Sequence, residues 1–363
     1  MNKKTKDRLG LLVLFGMIAS ILLYKLGPEV IQSRYFYDGD VGHRGAIGDA
    51  FGGTVGPIVA LIAAILTFMA FYIQYESNKE QKSQFKKQAQ DTVIERFENR
   101  FFELVRLHRS NVEEQNIQNI VFGRKTFTTY YFELRYIYLV LEKSYDSSDK
   151  NNQLDKEQLS NLAYLIFFFG IGHATESVFK HVIPEIYFEI FFNKAIERLK
   201  NEKDNFNVYI KSRHNTRTIN GYKILHLKDL VVEHNNKKAV FIQNYEPFTG
   251  HGTKIGHYYR HLFQTVKYVA SQKHKLFTPD RKYEYVKTLR AQLSNFEQVL
   301  LFYNSISILG KAWINEKYIQ DYNLITNLPL SFADFGITPE EKFKDTINEK
   351  NDFFDWYSLQ NSK

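Results

Sequence analysis

From Phe51 to Ile73 the chain reads FGGTVGPIVALIAAILTFMAFYI, 23 residues without a charge. At about 1.5 Å of rise per residue, such a run spans a hydrocarbon core of about 30 Å. A core helix of that length in a water-soluble protein normally carries a polar face. Here only Thr54 and Thr67 interrupt the run before Tyr72 and Gln74. From Gln74 the sequence turns polar, with neither Pro nor Gly before Gly123. The pattern therefore predicts a helix that leaves the apolar phase and continues as a stalk into a water-soluble domain.

A second apolar run, Leu9–Leu26, follows the basic segment MNKKTKDR. Its 18 residues lie near the lower limit for a span. Ala19 and Ser20 mimic a signal-peptide cleavage site, but Ile21, Leu22 and Leu23 carry the apolar run past them, which favours a retained helix. Lys3, Lys4, Lys6 and Arg8 precede this run, and Lys79, Lys82, Lys86 and Lys87 follow the other. The loop between carries only Arg34 and Arg44, against Glu29, Asp38, Asp40 and Asp49. Positive flanks stay in the cytoplasm, so both termini are expected there, at the inner membrane of a bacterial cell if the cell is bacterial.

Residues 1–8 are expected to form a cytoplasmic N-terminus, 9–26 and 51–73 two transmembrane helices, and 27–50 an external loop. Residues 74–120 form an amphipathic stalk, 121–328 a helical cytosolic domain and 329–363 an acidic C-terminal tail. Gly48, Gly52 and Gly56 recur every four positions, beside Gly53 and Pro57. Small residues at that spacing let helix backbones approach closely, so they mark a packing face. It serves either the first span of the same chain or a second copy in a homo-oligomer.

In the stalk, Ile94, Phe97, Phe101, Leu104, Val105 and His108 fall three or four apart, with charges opposite. His108 on that apolar side reads as a hydrogen-bonded core residue rather than a ligand. Helical periodicity continues over 126–143, 155–169, 184–200 (with Pro184 in its first turn), 257–271 and 281–309, and Trp313–Ile319 reads as a short helix. Leu165–Gly170 is too short to span and reads as buried core. Near 205–245, β-rich runs at Tyr222–Leu227 and Ala239–Ile242 surround His234–Asn235–Asn236, which predicts a small hairpin or irregular insertion. The fold class is mainly α: an N-terminal two-helix transmembrane hairpin, a helical stalk and an α-helical cytosolic domain with a small β-rich insertion.

The absence of cysteine excludes disulfides, thiolate nucleophiles and cysteine-ligated metals. The net charge of +8 is unevenly spread: residues 256–311 hold 9 Lys/Arg against 3 Asp/Glu, and 312–363 hold 5 against 9. The basic stretch is either a set of solvated faces or a surface for an anion, such as nucleic acid, lipid headgroups or the acidic tail. The glycine-spaced FTGHGTKIG lacks the spacing of a phosphate-binding loop.

Read as one helix, 281–309 places Arg290, Ser294, Glu297 and Asn304 on a partly buried polar stripe that needs partners. The preceding helix offers His257, Arg260, His261 and Gln264. The pattern fits a hydrogen-bonded lock between two helices, with catalysis the alternative. His257 and His261, four apart, could chelate a metal with His251 as a third ligand. No catalytic carboxylate motif accompanies them, so neither a metal nor a cofactor is expected, and no catalytic residue is assigned.

Gly256–Val269 (GHYYRHLFQTVKYV) and Leu289–Asn304 (LRAQLSNFEQVLLFYN) resemble signature segments of phage abortive-infection proteins of the AbiC-like family. The opening of the second span and FENRFFELVRLHRSNV, from Phe97 to Val112, resemble that family's N-terminal region. The resemblance implies a bacterial membrane-anchored protein that senses a phage-derived trigger and arrests or kills the infected cell. It brings no catalytic residues. An alternative is a tethered nuclease or nucleotide-binding effector working through 256–311. No Arg here has His five, six or seven positions later, the spacing shared by several abortive-infection ribonucleases, and no Walker motif or paired-carboxylate nuclease pattern occurs.

Overall fold

A computed structural model describes residues 41–146, 154–172, 177–179, 192–212, 218–219, 222–223, 228–349 and 353–355, with scattered positions between Asp7 and Lys25. The chain divides into two compact units, Met1–Arg96 and Phe97–Lys363.

In the first unit every described position between Asp7 and Lys25 is helical. The rest of the expected first span and the loop up to residue 40 lie outside the described residues. Helix α1 runs from Val41 to Glu113, so helix begins ten residues before the expected start at Phe51. Pro57 thus sits inside the helix, where it removes one backbone donor. Within α1, Gly56–Glu113 contains a window of mean hydropathy 2.2, none of it buried. Among the described residues this is the one helix long and apolar enough to cross a membrane. A side chain built at Gly52, Gly53 or Gly56 would meet no described atom within 4 Å. Gly48 is helical, and its surroundings are not described.

In the second unit the last turns of α1 bury Phe97, Phe101, Leu104, Val105 and His108, the stripe read from the sequence. Phe97 stacks on Tyr268 and meets Phe277 and Tyr285. A two-residue ladder, β1 (Asn116–Ile117) and β2 (Val121–Phe122), leads to α2 (Lys125–Asp146). Tyr136 to Leu141 are all fully buried in α2, as expected of a helix covered on every side. Its neighbours are α3 (Lys156–Phe169), α4 (Asn193–Ser212) and a hairpin of β5 (Lys228–His234) and β6 (Lys237–Gln243). Before the hairpin, β3 (Thr218–Ile219) pairs with β4 (Tyr222–Lys223). Asn235 and Asn236, both at positive φ, make the hairpin's two-residue turn. The expected insertion is therefore an antiparallel hairpin whose first arm begins at Lys228, after the run proposed at Tyr222–Leu227. Leu230, Val232, Ala239 and Phe241 are buried while Val231 and Ile242 are exposed, the alternation of a sheet with one covered face. Pro184 and the start of the helix expected at 184–200 lie outside the described residues.

The remaining helices are α5 (Gly252–Ala270), α6 (Pro279–Arg290), α7 (Asn295–Ile306), α8 (Ala312–Asn315), α9 (Tyr318–Asp321), α10 (Pro339–Lys342) and α11 (Lys344–Glu349). The single helix expected over 281–309 is two helices. Ser294 caps α7, its hydroxyl receiving the Glu297 N–H while the Glu297 carboxylate returns to the Ser294 N–H. The acidic C-terminal segment is packed: Ala333, Phe335, Phe343, Phe353 and Phe354 are buried. Lys156–Glu341 and Lys342–Glu157, each at 2.7 Å, tie α10 to α3.

The end of α3 crosses the loop before α5 by direct backbone contact. Gly170 and Gly250 both have positive φ. A Cβ on Gly250 would lie 2.5 Å from the carbonyl carbon of Phe169, and one on Gly170 2.6 Å from that of Thr249. The crossing is sewn by Ile171 N–H to Phe248 O at 3.0 Å and His251 N–H to Phe167 O at 3.1 Å. Gly250→Ala should cost about 3 kcal/mol, combining a forbidden backbone region with overpacking. Thermal unfolding of the detergent-solubilised chain checks this; an unchanged midpoint would show that the crossing can open freely.

Candidate functional site

The polar residues read from the sequence do not form one cluster. Glu297 is fully buried and joins α7 to two other segments. Its Oε1 accepts from the Tyr258 hydroxyl on α5 at 2.9 Å, and its Oε2 lies 3.3 Å from Arg124 Nε. Arg124 also donates to the Gln292 carbonyl at 2.9 Å. Burial, then the charge of Glu297, raises the Tyr258 pKa well above its ordinary value. Arg290 turns elsewhere. Its guanidinium donates to the Asn323 carbonyl at 3.0 Å and lies 6.0 Å from the centre of the Tyr283 ring. Asn304 donates to the Tyr164 hydroxyl at 3.0 Å. The expected partner for Glu297 on the preceding helix exists, but it is Tyr258 rather than a histidine or arginine.

His257 is exposed and His251 is buried in a different network. His251 Nε2 lies 2.9 Å from Glu133 Oε2, which also accepts from the Tyr245 hydroxyl, while the Phe248 N–H reaches Glu133 Oε1 at 2.9 Å. Burial pushes the Glu133 pKa up, but His251, Tyr245 and the Phe248 amide together bring it below the usual carboxyl value. This network holds the loop before α5 against α2. Among the described residues no group of three or more His, Asp or Glu side chains is arranged to hold a metal ion.

His108 and His261 stack with ring centres 6.3 Å apart and planes 18° from parallel. Neither has a hydrogen-bond partner on its buried ring nitrogens among the described residues. The hydrogen bond expected for His108 is therefore not formed; the ring packs 5.1 Å from Tyr258 instead. Burial, followed by the nearby charges of His261, Arg124 and Arg109, lowers its pKa to about 3. His261 is lowered too, by burial and then by His257 and Arg100.

Three of the sequence-selected residues do share a wall. Arg260, Gln264 and Asn304 line a cleft of about 850 Å³. Phe168, Phe169, Tyr259, Phe263 and Trp313 supply its aromatic surface, and Thr249 and Thr253 add hydroxyls. Gly252 and Gly256 let Phe168 lie against α5, since a Cβ on either would come within 3.0 Å of that ring. Among the described residues no Asp or Glu lines the cleft. The space suits a small organic ligand held by an apolar body and a few polar contacts.

The residues that build most of this cleft also carry the match to known proteins. Residues 250–333 match the family model described as "Putative phage abortive infection protein". That segment is thus similar to the AbiC-like family. No curated protein and no solved structure matches the chain significantly. The matched segment holds 13 of the 16 residues lining the cleft, all except Phe168, Phe169 and Thr249.

Two positions of the site were not picked out from sequence. Glu133 is the only acidic residue between Lys125 and Leu141, a run rich in aromatic and aliphatic residues, and that isolation was the available signal. Arg124, in a connecting loop, gave none. Glu297→Ala should cost about 3 kcal/mol, because the return bond of the helix cap is lost and the buried Tyr258 hydroxyl and Arg124 lose their acceptor together; a chemical-denaturation midpoint within error of wild type would contradict it. His108 stays neutral when folded but takes a proton near its ordinary value of 6.5 when unfolded. The unfolded chain therefore binds more protons between about pH 6.5 and about 3. Stability falls as the pH drops through that window, by at most about 1.4 kcal/mol per pH unit. His108→Phe should flatten the loss of thermal midpoint between about pH 7 and pH 5, above the titration range of Glu133.

Proposed function

We propose that this AbiC-like chain is a membrane-anchored antiphage effector at the bacterial inner membrane, which senses a phage-derived trigger with its cytosolic domain and arrests or kills the infected cell. The observation that carries the membrane half is α1. Its apolar part is unburied, and after Pro57 no proline or glycine interrupts it before its end at Glu113. Its last turns contribute Phe97 and Phe101 to the core of the second unit. The Arg8 guanidinium lies 5.6 Å from the centre of the Tyr72 ring, which supports a hairpin with the start of the first run beside the end of the second. That arrangement agrees with positive charge on one side, both termini cytoplasmic. Among the described residues nothing comes within 4 Å of a side chain built at Gly52, Gly53 or Gly56, which supports contact with a second copy, and the lethal event is then perturbation of the membrane by helices gathered in a homo-oligomer.

The alternative, a tethered nuclease, draws on the basic region 256–311. The cleft there offers Arg260 but no carboxylate, the group that metal-assisted phosphoryl chemistry uses to hold its ions. The aromatic and basic lining favours binding over cleavage.

Infected cells expressing the full chain should depolarise before lysis and withstand phage, and cells expressing a form without residues 1–75 should do neither. A potentiometric dye and plaque counts read both. Cells that remain polarised until growth arrest, or an anchorless form that protects fully, would remove membrane perturbation as the mechanism.

A further inference from the structure

The cleft between α5, the end of α3 and the turn before α8 has a lining of one character. Its charge is positive, its surface is aromatic, and its neutral polar groups are amides and hydroxyls. Arg260 and Gln264 lie four residues apart on α5, hence on one face of that helix. Both are exposed, and among the described residues Arg260 bonds only the Gly256 carbonyl of its own helix, through Nε at 3.1 Å, which leaves its terminal nitrogens for a ligand. No acidic side chain occupies the first turn of α5, which keeps this end of the cleft free of negative charge. Phe263 meets Trp313 edge-on at 5.0 Å, and Phe168 meets Phe169 edge-on at 4.9 Å, giving aromatic surface on two sides.

Each feature selects against other ligand classes. A cation finds no carboxylate. A purely apolar ligand would leave Arg260, Gln264, Thr249 and Thr253 unused. Inorganic phosphate would leave the aromatic surface and most of the about 850 Å³ empty. A flat heteroaromatic ring joined to an anionic group uses all of them: stacking on the aromatics, hydrogen bonds from its edge to the amides, and charge-assisted hydrogen bonds from the guanidinium.

We propose that the cleft is a binding site for a nucleotide, with the base against the aromatic wall and Gln264, and the phosphate at Arg260. The nucleotide is either free or the end of a single-stranded chain, because both present the same chemistry. No bond is made or broken in the site. The inference rests on the cleft alone, so binding and phage protection are read separately.

The test uses the detergent-solubilised full chain carrying Trp356→Phe, so that Trp313 is the sole tryptophan. AMP, GMP, adenosine, inorganic phosphate and a short single-stranded oligoribonucleotide are titrated in turn, with tryptophan fluorescence and calorimetry as readouts. A mononucleotide is expected to bind saturably and to change Trp313 emission. Arg260→Gln should weaken it about tenfold while leaving adenosine unaffected, and Gln264→Ala should weaken both. Both side chains are exposed, and unchanged unfolding midpoints would show that the variants remain folded. Tighter binding of the oligoribonucleotide than of AMP or GMP assigns the site to strand ends, and the reverse assigns it to free nucleotides. The proposal is overturned if no nucleotide binds at millimolar concentration, if phosphate alone binds as tightly as AMP, or if neither substitution alters nucleotide binding.

Discussion

A carboxylate with no exposed surface sits at the centre of the second unit, and the arrangement around it depends on its being satisfied. Glu133 meets the Tyr245 hydroxyl, the Phe248 amide and the His251 ring. An unpaired buried charge would cost several kcal/mol, so these donors are a condition of the fold rather than an addition to it. Phe248 and His251 belong to the segment that enters α5, and α5 supplies one wall of the cleft. The position of Arg260 and Gln264 thus traces back to a charge on another helix that touches neither of them. Buried polar groups of this kind specify which packing is adopted more than they add to its stability.

Glu297 does the same on a smaller scale. Its carboxylate closes the start of α7 and holds Arg124 and Tyr258 at once. Two fully buried carboxylates, each reached from several segments, leave the helices from Gly252 onward little freedom of register. The stacked pair His108 and His261 adds a contrasting element, packed aromatic surface whose nitrogens stay without partners among the described residues. It ties the last turns of α1 to α5 by a contact that tolerates only uncharged rings.

Much of this was legible in the sequence because hydrophobic periodicity reports burial directly. The stripe at Phe97, Phe101 and Val105, the core run at Leu165 and the hairpin turn at Asn235–Asn236 all follow from spacing or turn chemistry. The reading failed where a local hydrogen-bond pattern overrode periodicity. Apolar residues continue in phase from Val286 to Tyr303, so the stretch reads as one helix. Ser294 followed by Glu297 is the signature of a helix start, and it breaks the run. With the break, Arg290 and Glu297 no longer share a face, and the supposed polar stripe dissolves. Arg260, Gln264 and Asn304 survive as neighbours through the cleft rather than through the periodicity that selected them. Phe168 and Phe169 could not have been joined to them, because the chain crossing at Gly170 and Gly250 brings those distant segments together, and Trp313 joins only through its contact with Phe263.

That crossing also decides which side of the cleft is able to give. Two main chains touching with no side chain between them cannot slide without breaking the bonds that sew them, so the end of α3 and the start of α5 behave as one fixed jaw. The opposite jaw is of another kind. From Asn304 to Trp313 it is closed by successive three-residue turns, Ser307 to Asn304, Gly310 to Ser307 and Trp313 to Gly310. Short turns of this sort are cheaper to rearrange than a helix. Accommodation of an occupant is therefore expected from the tryptophan side, the direction that leads onward to α8 and α9.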